Sequence, residues 1–180
     1  MGSRGPVFVG VSGPPASGKS TLAPVLAARL GLPLLAKDTI KDALMEAMPP
    51  ADVEESRALG RAAVAVMFAL AAESSAGAVL ESVFHRSRAV ADIRALPGPF
   101  VEVFCRCDRA VALARYRARA GTLAAGHFDS LRTDDELWGE EVNQPVAGGW
   151  PVLVVATDAP LDSDRVCAEV ERLIAAGTGG

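Results

Sequence analysis

The sequence predicts an α/β architecture, a mainly parallel β-sheet with helices crossing between its strands. Three observations carry the prediction. Five short apolar runs are spaced along the 180 residues, segments of helical periodicity separate them, and the first run feeds a glycine-rich loop that opens directly into a helix. Parallel neighbours need long crossover connections, which the helical segments supply.

Taken in order, the first strand is Val7 to Val11 and the helix after its loop runs from Lys19 to Arg29, closed by Gly31. Leu22, Val25, Leu26 and Leu30 give that helix its apolar stripe. Pro24 is assigned to the first turn, where a missing N–H costs little. A second strand at Leu32 to Ala36 leads into a helix over Thr39 to Met48, and Pro49-Pro50 separates it from a long helix over Asp52 to Ser75. The unbroken apolar run Ala62 to Ala72 is far shorter than the about 20 residues of a membrane span and reads as a buried helix. Strands at Ala78 to Val83 and Phe100 to Cys105 bracket a helix over Ser87 to Ala95, and a helix over Arg109 to Ala120 follows. Periodicity is weak from Gly121 to Pro151, which predicts a mobile lid at about residues 120–135 and a loop returning to the last strand, Val152 to Ala156. The final helix covers Ser163 to Ala176.

Between the first strand and first helix the chain reads Gly13-Pro14-Pro15-Ala16-Ser17-Gly18-Lys19-Ser20-Thr21, a complete G-x-x-x-x-G-K-[ST] loop. A phosphate cradle needs a strand to deliver it, glycines that let backbone N–H groups turn toward an anion, and a helix N-terminus whose dipole favours negative charge. All three are present in order. Lys19 would reach the β and γ phosphates of a nucleotide, and the Ser20 hydroxyl would hold a magnesium ion bridging them.

Length and composition fit one compact domain, residues 1–180. The net charge of −4 argues against a general nucleic-acid binder, which needs a concentrated basic surface; only a local Arg86, Arg88, Arg94 patch points the other way. Cys105, Cys107 and Cys167 form neither a zinc quartet nor an even disulfide set, and no secretory signal or membrane span is evident. A cytoplasmic protein without a membrane partner is the simplest expectation.

Ligands in open α/β sheets bind beyond the carboxyl ends of the strands, so charged groups there are the first candidates. Asp38 follows the second strand, where a carboxylate could accept the proton of an acceptor hydroxyl or simply N-cap the helix starting at Thr39; position alone leaves both open. Asp42, one turn onward, reads as a solvated helix residue. Glu81 ends an apolar run, in the pattern of a magnesium-side or substrate-side acid, or of a group hydrogen-bonded to Lys19, Ser20 or water. Ser82, His85, Arg86 and Arg88 follow where an acceptor pocket would open, and Arg86 is the substrate-contact candidate. Arg115 and Arg119 are four apart on one helix face and can converge on an anion, unless that helix is merely a solvated basic one. Thr157-Asp158-Ala159-Pro160 could border a nucleotide base or form a plain turn. His127 reads as a lid surface residue, and Cys105-Arg106-Cys107 as strand-end thiols.

The phosphate loop, the LLAKDTIKDAL segment, the AVLESVF strand, the VEVFCRCDRAVALARYRARA segment and the VLVVATDAP ending together make the chain resemble small P-loop kinases of the nucleoside-monophosphate-kinase-like fold. More closely, it resembles AAA-domain-type kinase-like ATP-binding proteins related to chloramphenicol phosphotransferase, gluconate kinase and shikimate kinase. The resemblance implies a three-layer P-loop NTPase fold with a five-stranded parallel sheet in the order 2-3-1-4-5, flanking helices and a lid. It further implies transfer of the γ-phosphate of magnesium ATP to a small acceptor. Gly13, Pro14, Ala16, Ser17, Gly18, Lys19, Ser20, Thr21, Arg115 and Asp158 would bind the nucleotide, with Arg115 stacking on adenine. Lys19, Asp38 and Arg119 would serve catalysis, Asp38, Glu81 and Arg86 the acceptor, and Ser20 and Glu81 the metal. Two departures stand out. No D-x-D pair follows Lys37, and the run Ala120 to His127 lacks the arginine pairs of many relatives, leaving Arg132 as a stand-in if the lid folds back.

Overall fold

A computed structural model describes residues 5–119 and 133–177. The chain runs β1 (Val7–Ser12), α1 (Lys19–Leu30), β2 (Leu34–Ala36), α2 (Lys37–Ala47), α3 (Val53–Glu73), β3 (Gly77–Glu81), α4 (Arg86–Arg94), β4 (Phe100–Arg106), α5 (Arg109–Arg119), α6 (Asp134–Trp138), β5 (Val152–Ala156) and α7 (Ser163–Gly177). All strand pairs are parallel and the sheet order is β2-β3-β1-β4-β5, as the resemblance implies. This is the α/β P-loop kinase fold.

Strand alternation builds the two faces. Val9, Val11, Val79, Val103 and Cys105 point to one side, where Leu22, Ala23 and Leu26 of α1 and Val166, Cys167 and Val170 of α7 cover them. Phe8, Ala78, Leu80 and Phe100 point to the other, against Met67 and Ala71 of α3, Ala89 and Ile93 of α4, and Val146. Because β1 lies in the centre of the sheet, the loop leaving its carboxyl end opens between β3 and β4.

Several elements depart from the expected bounds for identifiable reasons. Pro33 lacks an N–H, so β2 begins at Leu34, although the Pro33 carbonyl still accepts from Val79 N at 2.9 Å. The second helix starts at Lys37 rather than Thr39, which places Asp38 inside its first turn and not at the N-cap, a position held by Ala36. Pro24 falls in the second turn of α1, not the first. The Ala62 to Ala72 run is not buried all round: Ala63, Met67 and Ala71 face the sheet, while Val66 and Leu70 are 39% and 50% exposed. Within the weakly periodic stretch the short helix α6 was not anticipated, although Thr133-x-x-Glu136 is a capping box, with Glu136 N donating to the Thr133 hydroxyl at 3.3 Å and Thr133 N donating back to Glu136 at 2.8 Å. The chain after α6 is anchored, with Trp138, Val142 and Val146 all buried.

Candidate active site

The loop between β1 and α1 is built around two left-handed glycines. Gly13 has φ +136°, and a Cβ there would stand 2.5 Å from the Cys105 carbonyl oxygen and 2.7 Å from Ser17 Oγ, so only glycine fits between β4 and the loop. Gly18 has φ +88° and caps α1, turning the chain so that the helix starts at Lys19. Ala16, between them, also has positive φ, at 60°, a strained backbone for alanine of the kind that functional loops retain. The Lys19 side chain is buried and folds back over the loop, donating from Nζ to the Pro14 carbonyl at 2.8 Å. Ser17 Oγ is buried and has no hydrogen-bond partner. Ser20 and Thr21 are exposed in the first turn of α1, where helical N–H groups have no intrahelical acceptor.

The far side of the loop is held by the end of β5. The Thr157 hydroxyl lies 2.8 Å from the Ser17 carbonyl and 3.1 Å from that of Arg106, so one proton is shared between two acceptors that bracket the loop and β4. Arg115 donates from Nη2 to the Thr157 carbonyl at 2.9 Å and from Nη1 to Cys107 Sγ at 3.5 Å. These bonds fix the guanidinium against the end of β5. Asp158 accepts from Asp108 N at 2.5 Å, a bond that holds its carboxyl below the usual aspartate range, and Asp108 in turn caps α5 by accepting from Ala110 N at 2.8 Å. Arg115, Thr157 and Asp158 therefore gather at one end of the loop. The side chain of Arg119, together with His127, Arg132 and most of the expected lid, lies outside the described residues.

On the opposite side stand the acceptor candidates. Glu81 ends β3, paired in register with Val11 and Ala36, and is buried. Its charge and that of Lys19 both act on Cys105, whose thiol burial pushes up to about 12. Asp38 has 68% of its side chain exposed and accepts from Lys37 Nζ at 2.8 Å. Arg86 is exposed at the start of α4.

Two residues not singled out in the sequence organise this region. Glu102, in the middle of β4, is sealed from solvent and accepts from Ser12 Oγ (2.8 Å), Val146 N (2.9 Å), Ala147 N (3.0 Å) and Trp150 Nε1 (3.1 Å). It ties the residue before Gly13 to the segment that returns to β5. The signal was a lone charge in the apolar strand Phe100 to Cys105. Glu141 accepts from Ser87 N at 3.0 Å and Ser87 Oγ at 2.8 Å, and its carbonyl accepts from Arg86 N at 3.1 Å. Nothing in the sequence around Glu141 signals a cap for a helix some fifty residues earlier.

No group of three or more histidine, cysteine or acidic side chains placed to hold a metal occurs among the described residues. Ser20, exposed in the first turn of α1, and Glu81, buried at the end of β3, carry oxygen donors of the kind magnesium takes.

A family model described as an AAA domain matches residues 9–137, and the chain belongs to that family, with a P-loop kinase-like fold. Among solved structures, a candidate kinase from Chloroflexus aurantiacus is similar at 27% identity and TM-score 0.82, over 98% of this chain and all (100%) of that one. Shikimate kinase from Acinetobacter baumannii, in complex with shikimate, shares the fold at 17% identity and TM-score 0.64, covering 99% and 97%. The APS kinase CysC of Mycobacterium tuberculosis, in complex with AMPPNP and APS, does so at 21% identity and TM-score 0.59, covering 95% and 98%. No curated protein matches the chain by sequence.

Proposed function

We propose that the protein transfers the γ-phosphate of ATP to a hydroxyl of a small metabolite or antibiotic. The observation that carries the reading is the loop itself: two left-handed glycines, a buried lysine folded over the turn and a buried, unpartnered serine hydroxyl form a cradle at a helix N-terminus. The kinases that share the fold support it. ATP phosphates would lie on the loop N–H groups and Lys19, with magnesium held by Ser20 and Glu81; the metal neutralises charge on the phosphates. Arg115 and Asp158 border the base, Arg86 contacts the acceptor, Asp38 takes the hydroxyl proton, and Arg119 adds positive charge at the transferring group. Little covalent chemistry is asked of the protein, so positioning and charge account for the rate.

The test is incubation with magnesium and γ-labelled ATP against a library of hydroxyl-bearing sugars, phenicols and aminoglycosides, following label into small molecules by mass spectrometry. Label enters one acceptor class, and Lys19→Ala and Asp38→Asn remove it. Asp38→Asn lowers turnover roughly 10²- to 10⁴-fold, the range for a general base, with ATP affinity nearly unchanged. Full turnover by that variant removes Asp38 from the base role. The exposure of Asp38 and its pairing with Lys37 favour one second reading, a slow ATPase switch without an acceptor. Hydrolysis of ATP with label passing only to water selects it.

A further inference from the structure

The arginine assigned to the base and the loop assigned to the phosphates are joined through one residue, Thr157. It follows β5 and is buried. Its N–H donates to the Arg106 carbonyl at 2.9 Å, so that carbonyl is already supplied with a donor. The Thr157 hydroxyl makes the shorter of its two contacts, 2.8 Å against 3.1 Å, with the Ser17 carbonyl of the phosphate loop. On its other side, the Thr157 carbonyl accepts from Arg115 Nη2 at 2.9 Å. A chain of hydrogen bonds therefore runs from the Arg115 guanidinium, through one buried residue, to the backbone of the loop.

The peptide that this chain reaches is the one between Ser17 and Gly18. In a planar trans peptide the N–H points opposite to the C=O, so holding the Ser17 carbonyl on Thr157 directs the Gly18 N–H away from Thr157. Loop N–H groups are what a bound phosphate meets. Gly18, at φ +88°, has no Cβ to resist rotation of that peptide plane, and the buried Ser17 Oγ, which has no hydrogen-bond partner, does not hold it. Thr157 packs directly beside it, its Cβ 3.6 Å from the position a side chain on Gly18 would take. The Thr157 hydroxyl is thus placed to set the orientation of this peptide.

Resting on the reading that seats nucleotide phosphates on this loop, we propose that Thr157 and Arg115 are positioning residues for the phosphate cradle. Arg115 fixes Thr157 by its carbonyl, and Thr157 fixes the Ser17–Gly18 peptide by its hydroxyl. Arg115 therefore contributes to phosphate binding even for a ligand that has no base. The coupling is reciprocal: phosphate seated on the loop steadies Thr157 and, through it, the guanidinium that meets the base.

Magnesium pyrophosphate, which carries phosphates and no base, is the probe. Its affinity is measured by calorimetry in the wild type, Thr157→Val, Thr157→Ser, Arg115→Met and the Thr157→Val, Arg115→Met pair, with urea unfolding confirming that each is folded. Valine keeps the shape of threonine without the hydroxyl, and methionine keeps a long stem without the donors. Thr157→Val and Arg115→Met each weaken pyrophosphate binding roughly three- to tenfold, the range of one hydrogen bond. Thr157→Ser stays within about twofold of the wild type, and in the Thr157→Val background Arg115→Met has no further effect. Unchanged affinity in Arg115→Met overturns the proposal, and so do additive losses in the pair, which mark Arg115 as acting on phosphate by its own charge. The Gly18 amide resonance of the unliganded protein gives a second reading that needs no threonine variant: it moves in Arg115→Met, and an unmoved resonance overturns the coupling. A wild type that binds pyrophosphate yet labels no acceptor loses the phosphotransferase reading alone, and the titrations still decide the coupling; one that binds neither pyrophosphate nor ADP loses both.

Discussion

Glu102 is held inside the sheet layer by four donors and no acceptor, which only a carboxylate can satisfy on both oxygens. Replacing it with Gln turns an NH₂ group toward N–H donors and leaves at least one of them buried and unsatisfied, at a cost of roughly 1–3 kcal/mol. Glu102→Gln therefore unfolds at lower urea than the wild type, with an unchanged m-value; an unchanged midpoint contradicts this account. The same residue shows what a sequence conveys at this scale. A single charge among Phe100, Val101, Val103 and Phe104 announces a buried polar group, but its partners lie from 44 to 90 positions away. Gly13 and Lys19 were legible because they stand in one contiguous motif. Thr157, Glu102 and Glu141 act through main-chain and side-chain groups far away in the sequence, which no local pattern encodes.

At the scale of elements, α3 separates hydrophobic content from burial. Its eleven-residue apolar run resembles a helix enclosed on all sides, yet only the stripe at Ala63, Met67 and Ala71 meets the sheet, because one helix covering one face of a sheet can bury only one side. Met67→Ala accordingly costs about 2–5 kcal/mol, while Leu70→Ser, on the half-exposed side, stays within about 0.5 kcal/mol of the wild type in thermal or urea unfolding. A large loss from Leu70→Ser shows that this face is covered. Elsewhere the errors in element bounds trace to backbone chemistry. Pro33 delays β2, and α2 starts two residues early because Lys37 and Asp38 tolerate helical geometry immediately after a strand.

Across the whole molecule, all three cysteines are buried, Cys105 and Cys167 in the core over the sheet and Cys107 just past the end of β4. Burial raises each thiol, Cys105 to about 12, and Cys107 and Cys167 in the same direction. A raised folded-state value means that the unfolded chain loses its thiol protons first as pH climbs. The stabilisation is complete below the ordinary thiol range, about 9, and is lost progressively as pH rises toward 12. Unfolding free energy measured in urea therefore declines above that range, and serine at position 105 flattens part of the decline. At pH 8 the three thiols react with an alkylating reagent only at the rate of unfolding. Rapid labelling of the native protein contradicts their burial.

The sequence by itself determined the alternation of strands and helices, the phosphate loop and its position after the first strand, because hydrophobic periodicity and left-handed glycines are properties of neighbouring residues. Through the resemblance it also implied the sheet order, which the structure bears out. Only the tertiary structure decided that Thr157 and Arg115 meet across one end of the loop, that Glu102 joins the loop entrance to the returning segment, and that Glu141 occupies the α4 N-terminus. Those contacts join residues far apart in the chain whose types are common on any surface. They become informative only when the packed sheet removes water and leaves buried polar groups to find their partners within the protein.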